Sequence, residues 1–208
     1  MREGKKLFRE SMLYPVFFML IITIFFISIL ATLHLTTQDR IKEYKRIKLR
    51  TTILEIFALP LDDLDRYYEE HIREKKSGDI IYYVAFADTV VLGYCFPVMG
   101  NGLWGTISAL LAVTPDFSTI VGFDILAQNE TPGLGGRITE SWFKNQFSGK
   151  KIIEDSTVLE FNLVAEGEIT NNIQVNQITG ATQSSKAVVK IITSEMKRIV
   201  GQFGKNYD

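Results

Sequence analysis

Cysteine is almost missing from this chain: among 208 residues there is one, Cys95. A lone thiol makes no internal disulfide and builds no metal site by itself. Histidine is scarce too. His34 and His71 stand far apart in sequence, and neither is near Cys95. That spacing does not suit zinc or iron, so no metal ligand is expected. An excess of one charge is also lacking. The formal net charge is −1, and there is no long basic run or nucleic-acid-reading motif, so nucleic acid is not an expected partner. Internal repeats and low-complexity segments are absent. What the chain does have is a hydrophobic fraction of 46%, much of it gathered in one block near the N-terminus.

That block, Met12 to Leu35, contains no formally charged residue. About 20 apolar residues in a helix cross a hydrocarbon core of roughly 30 Å. Pro15 falls in the first turn, where its missing amide costs nothing. A cleaved signal peptide is the rival reading. The block is too long for one, and no small-x-small cleavage site follows it. The expected order is a short tail over 1–11, a transmembrane helix over 12–35 and a stem helix over 36–60. Thr36, Thr37 and Asp39 are cap candidates for the stem. Ile41, Ile47, Leu54 and Phe57 form a loose apolar stripe along it, opposite a basic face suited to anionic lipid. Pro60 closes it. Basic residues after the span, Arg40 to Arg50, would by charge bias alone keep the following domain inside the cell.

Residues 61–208 are expected to form one domain. Asp62 to Lys76 reads as helix or irregular chain. Ile80 to Phe86 and Thr89 to Phe96 are β-rich runs split by Ala87-Asp88, which predicts a hairpin. Cys95 reads there as a buried small hydrophobe. Pro97 to Gly102 reads as a turn. Leu103 to Val113, Ile120 to Gln128 and Val158 to Val164 read as strands, and Ser141 to Phe147 as a short helix. Ser184 to Val200 predicts a terminal helix, with Gly201 placed to end it. Strands followed by loops and helices give an α+β fold, with an antiparallel sheet and flanking helices.

Two loops carry candidate chemistry. Glu130-Thr131-Pro132-Gly133-Leu134-Gly135-Gly136-Arg137 combines rigidity with little bulk, so a flat ligand can approach its backbone. A generic turn has the same composition. Thr179-Gly180-Ala181-Thr182-Gln183-Ser184-Ser185 precedes the terminal helix. Free amides and the helix dipole favour an anion there. An ordinary N-cap by Thr182 or Ser184 is the alternative.

Thr179-Gly180-Ala181-Thr182 resembles the flavinylation motif, Asp-x-x-(Ser/Thr)-Gly-Ala-Thr, of the FMN-binding domain family. Asn176 stands where that motif has aspartate. Glu130-Thr131-Pro132-Gly133-Leu134-Gly135 resembles the family's second hallmark. Trp142, Phe147, Gly149 and Lys150 resemble a Trp…Phe-x-Gly-Lys stretch, and Gly100 to Gly105 the segment opening the domain. The family includes the G subunit of the Rnf complex and the C subunit of the sodium-pumping NADH:quinone reductase. Ser184 to Val189 and the short chain are more similar to the former, Gly102-Leu103-Trp104 followed by Thr106 to the latter, and the former is the reading adopted.

The resemblance implies covalent FMN, held as a phosphoester on Thr182 and installed by a flavin transferase. Thr179, Gly180, Ala181, Gln183, Glu130, Thr131, Gly133, Leu134 and Gly135 would contact the cofactor. Amides near Ala181 and Gln183 would face its phosphate. Trp104 and Trp142 read first as core residues, with a place near the cofactor as the alternative. No catalytic residue is implied. The implied function is that of an electron-transfer subunit of an ion-translocating ferredoxin:NAD oxidoreductase, with other integral membrane and redox subunits and membrane lipid as partners. The implied place is the inner (cytoplasmic) membrane, single-pass, with the flavin domain on the extracytoplasmic side. A quinone-reductase subunit, a membrane-tethered flavin sensor or regulator, and a cofactor-free anchor are the alternatives.

Overall fold

The computed structural model describes residues 13–154, 157–169 and 171–203. The expected tail over 1–11, together with Met12, lies outside the described residues. Internal contacts divide the chain into two units, Met1–Arg46 and Ile47–Asp208.

Helix α1 (Leu13–Ile56) supplies the described structure of the first unit and the opening turns of the second. It is the one described helix long and apolar enough to cross a membrane. Its apolar side chains, Val16 to Leu35, are exposed all round, as lipid contact requires. Its hydroxyls are satisfied within the helix. Thr23 donates to the Met19 carbonyl and Ser28 to that of Ile24, each at 2.7 Å. In hydrocarbon there is no water to take their place. Thr36 and Thr37 do the same to Thr32 and Leu33. They are therefore not caps, and the helix continues unbroken through the boundary expected at 35/36. It ends at Ile56 rather than at Pro60. Ala58 takes φ 52°, while the Leu59 amide donates to the Leu54 carbonyl and the Ala58 amide to that of Glu55. These bonds form a Schellman closure.

In the second unit, α2 (Leu64–His71) is capped by Asp63, whose side chain accepts from the Arg66 amide. Five strands follow: β1 (Ile72–Ser77), β2 (Ile80–Ala87), β3 (Val90–Asn101), β4 (Thr106–Val113) and β5 (Ile120–Ala127). They lie side by side in chain order, each antiparallel to the next. The expected hairpin is β2–β3. The segment Asp62 to Lys76, read as helix or irregular chain, is helix only in its first part, and Ile72–Ser77 is the edge strand β1. Arg73, Glu74, Lys75 and Lys76 are exposed along it. Charge protects an open edge from further pairing, and it also hides the strand from a hydrophobicity pattern.

The expected turn at Pro97 to Gly102 is instead the second half of β3. Pro97 lies opposite Leu110 of β4, past the last β2 pairing at Cys95. Its missing amide faces no neighbour there, so the ladder tolerates it. Gly100 is a strand glycine for a packing reason: a Cβ on it would sit 2.4 Å from Cγ1 of Ile191.

Alternation along β4 serves two cores. Ala109, Leu111 and Val113 join a large cluster with Phe96, Phe123, Phe143, Phe147 and Ile192. Leu110 and Ala112 join a smaller one with Ile53, Leu54, Phe57, Ala85 and Cys95. The larger cluster is closed by α4 (Thr182–Phe203), whose Val188, Ile192, Met196 and Ile199 are buried. The remaining pieces are short. α3 (Ser141–Lys144) continues as a 3₁₀ turn, Asn145–Phe147. β6 (Ile153–Glu154) pairs with β7 (Thr157–Val158), and β8 (Asn162–Val164) runs parallel to β9 (Gln174–Asn176). The single strand expected over Val158 to Val164 is thus split between two small sheets. The Leu159 amide adds one more rung to the first, donating to the Ile152 carbonyl at 2.8 Å, and pairing with β9 begins only at Asn162. α4 passes Gly201, which takes no positive φ, and continues to Phe203.

Candidate functional site

Thr182 is the first residue of α4. Gly180 enables the turn before it with φ 80°, a conformation that suits glycine. Ser185 ties that turn together. Its hydroxyl accepts from the Ile178 amide at 3.0 Å and donates to the Ala181 carbonyl at 3.1 Å. These bonds tie the turn to the helix without capping its first amides, and Ser184 Oγ is used elsewhere, donating to Glu130. The Thr182 hydroxyl is left at an exposed position beside the helix start. Helix geometry leaves the first amides, those of Thr182, Gln183 and Ser184, without an intrahelical acceptor. The Ala181 amide is different. It donates to the Ile178 carbonyl at 2.9 Å and does not face an anion.

Beside Thr182 opens a cleft of about 330 Å³, near the lower end of the range for small-molecule sites. Three segments line it: Leu103-Trp104, the glycine-rich loop through Glu130, Thr131, Leu134 and Gly135, and Gly180 to Ser184. The first is the tip of the β3–β4 connection, closed by the Gly102 amide donating to the Gly105 carbonyl at 2.7 Å. The second folds over Thr131, whose carbonyl accepts from the Leu134 and Gly136 amides. Leu134 lies over Gly180, where an added Cβ would be 3.5 Å from Leu134 Cδ2. Leu103, Trp104 and Leu134 expose much of their apolar surface around the opening.

Glu130 is buried where the three segments meet. Its Oε1 accepts from the amides of Leu103 (2.8 Å) and Trp104 (3.1 Å), and its Oε2 accepts from the Ser184 hydroxyl (2.5 Å). The glycine-rich loop presses against this carboxylate. A Cβ on Gly135 would lie 2.4 Å from Ser184 Oγ and 2.8 Å from Glu130 Oε2.

Of the residues expected at the site, Thr182, Gly180, Ala181, Gln183, Glu130, Thr131, Leu134 and Gly135 line the cleft. Gly133 and Thr179 do not. Gly133 turns outward at φ 75° with open space around it. Thr179 donates to Glu166 Oε2 at 3.3 Å on an exposed surface. Trp104 lines the cleft. Trp142 instead donates to Glu140 and packs against the core. Arg137, Nε 3.1 Å from Glu140 Oε1, and the indole N–H together hold the Glu140 carboxyl below its ordinary value. Leu103 and Ser184 also line the cleft; the sequence marked their segments but not their place at the site, because only the β3–β4 turn and the loop packing bring them there. Asn176 is held by its backbone and its side-chain oxygen. Its amide donates to Gln146 Oε1 at 2.7 Å, and its Oδ1 accepts from the Gly167 amide at 3.1 Å.

A second cavity, of about 650 Å³, lies along the other flank of α4. Phe161, Leu163 and Val189 give it an apolar floor, and Lys186 and Lys190 stand on its rim. Thr182 borders both spaces. Lys186 is four residues on, so it shares the face of the helix that Thr182 occupies.

The fit to FMN rests on these features. A hydroxyl stands beside helix-start amides that have no intrahelical acceptor, with a lysine one turn away, next to a cleft lined by Leu103, Trp104 and Leu134. The FMN-binding domain family matches residues 102–196. The G subunit of the proton-translocating ferredoxin:NAD(+) oxidoreductase complex of Clostridium ljungdahlii is 30% identical over 155 residues, covering 74% of this chain and 74% of the relative. The G subunit of the ion-translocating oxidoreductase complex of Methanosarcina acetivorans is 29% identical over 187 residues, 89% of this chain and 93% of the relative. The C subunit of the Na(+)-translocating NADH-quinone reductase of Vibrio anguillarum is 35% identical over 118 residues, only 46% of that protein. Among solved structures, that of the C subunit of the Na(+)-translocating NADH-quinone reductase from Parabacteroides distasonis superposes with a TM-score of 0.64 at 26% identity, over 80% of this chain and 94% of that one. Fold, motif positions and overall likeness agree, and the chain belongs to the FMN-binding domain family, alongside the G subunits of ion-translocating oxidoreductase complexes.

Proposed function

We propose that this chain is the electron-transfer flavoprotein subunit of a membrane-bound, Rnf-type ferredoxin:NAD oxidoreductase, carrying FMN as a phosphoester on Thr182 Oγ. The observation behind this reading is the placement of Thr182, which is exposed at the start of α4 and borders the cleft walled by Leu103, Trp104 and Leu134. The flavin, when bound, supplies reversible electron transfer. The chain's own residues hold and orient it. The amides of Thr182, Gln183 and Ser184 would face its phosphate, Lys186 would offset its charge, and Leu103, Trp104 and Leu134 would receive the ring. One span leaves no room for an ion path with paired polar groups, so translocation belongs to partner subunits of the complex. A flavin transferase installs the ester.

The chain purified from its host should weigh more than its sequence by FMN minus one water, and its flavin fluorescence should survive denaturation. Thr182→Val should abolish both. Retention of the added mass in that variant refutes the assignment to Thr182. An unmodified wild-type chain refutes covalent FMN altogether. The match to the quinone reductase's C subunit keeps a second reading in view. Oxidation of reduced ferredoxin with NAD by the intact complex supports the first, and NADH oxidation with quinone supports the second.

A further inference from the structure

The buried carboxylate at the junction of the cleft walls is expected from sequence to bind the cofactor, yet both its oxygens are taken by the protein itself. Oε1 holds the two amides at the tip of the β3–β4 turn, and Oε2 holds the Ser184 hydroxyl in the first turn of α4. Glu130 and Ser184 are 54 residues apart in the chain. The site is built around this group. A Cβ on Gly102 would stand 2.3 Å from Oε1, and one on Gly135 would stand 2.8 Å from Oε2. Two glycines from two different loops make room for one carboxylate.

We propose that Glu130 is a positioning residue, fixing Leu103 and Trp104 against the start of α4 so that the cleft keeps its width, while its negative charge biases the bound flavin toward the oxidised form. The proposal rests on the flavin reading for its second half only. Joining the walls does not by itself require a charge. A glutamine has the same shape, its carbonyl oxygen accepts from both amides, and its NH₂ donates to the Ser184 oxygen. Burying a carboxylate is costlier than burying an amide. Its presence therefore points to an electrostatic role beside the cofactor. A negative charge on a buried group disfavours adding electrons nearby, because Coulomb interactions at a buried position are less screened than in water.

The test uses the full-length chain and separates shape from charge. Amide hydrogen exchange over residues 102–105 is measured first in a Thr182→Val background, independently of any flavin. Glu130→Ala should speed exchange at Leu103 and Trp104 at least tenfold while leaving β4 unchanged. Glu130→Gln should retain most of the protection. On the flavin-loaded chain, Glu130→Gln should then raise the flavin midpoint potential, an effect that a purely structural group would not produce. Unchanged exchange in Glu130→Ala overturns the positioning role. Equal potentials in the wild type and Glu130→Gln overturn the electrostatic one. Absence of flavin from the wild-type chain defeats the functional reading instead, and leaves the exchange result to judge the clasp alone.

Discussion

Lys150 shows how much one side chain reports about its surroundings. It is buried beside the aromatic core, with Nζ donating to the Asn172 carbonyl at 2.8 Å. Burial lowers its pKa below the ordinary lysine value, because the charged form loses hydration that one carbonyl does not replace. For a base with a lowered folded pKa, the unfolded chain binds more protons in the interval between the two values. Folding stability therefore rises with pH through that interval, which lies below the ordinary lysine pKa. Lys150→Met removes the titration. We expect the stability of the wild type relative to this variant to increase as pH is raised toward the lysine range, as measured by urea denaturation of both chains. A difference that stays flat with pH would contradict the burial argument. Cys95 follows the same physics with the opposite sign. Full burial in the smaller core pushes its thiol up, which makes it an inert filler rather than a redox partner for the flavin.

At the scale of elements, the loops around the site are set by close approach, and the helices by what they can cover. Gly135 and Gly102 are needed where the backbone meets Glu130 and Ser184, and Gly100 is needed where α4 crosses β3. Gly201 is different. It reads as a helix stop, yet α4 runs past it, its φ is not positive and nothing lies within 4 Å of an added Cβ. A glycine inside a helix costs about 0.5–1 kcal/mol relative to alanine. Gly201→Ala should therefore stabilise the domain by roughly that amount in a denaturant titration. Destabilisation would mean that the residue adopts a left-handed stop. The hairpin β2–β3, strand β5 and the terminal helix were legible from alternation and helical periodicity. Edge strand β1 was not, because its charged side chains carry no alternation. The second half of β3 was hidden by Pro97, since a proline is tolerated where pairing on its amide side has stopped, and the sequence does not say that β2 parts from β3 beyond the pairing of Tyr83 with Cys95.

For the whole molecule, the distribution of hydrophobicity separates a membrane-anchoring helix from a folded domain, and membership in a family of membrane complex subunits fits that division. The side of the membrane is a matter of proposal. Arg40 to Arg50 argue by charge for the cytoplasm, whereas the resemblance implies the extracytoplasmic face. We adopt the latter, since partner subunits and lipid can hold those charges. Lys48 is already engaged, donating to the Leu126 carbonyl at 2.5 Å. Arg50 pairs with Asp65 at 2.6 Å. Protease added to cells with a permeabilised outer layer and an intact inner membrane should then degrade the domain. Protection there, with digestion in inverted vesicles, would reverse the topology.

The sequence alone determined the apolar span, the α+β class and the two loops, while the threonine proposed for the flavin was singled out by its resemblance to a family motif. These depend on local composition and short motifs, which act within a few residues along the chain. Tertiary structure decided which loop residues face one another. It brought Leu103 and Trp104 to the cleft, turned Gly133 and Thr179 away from it, and turned Glu130 from an expected cofactor contact into the bond between its walls. Such pairings join segments far apart in the chain, and their geometry is fixed only when the sheet register and the packing of α4 are fixed together.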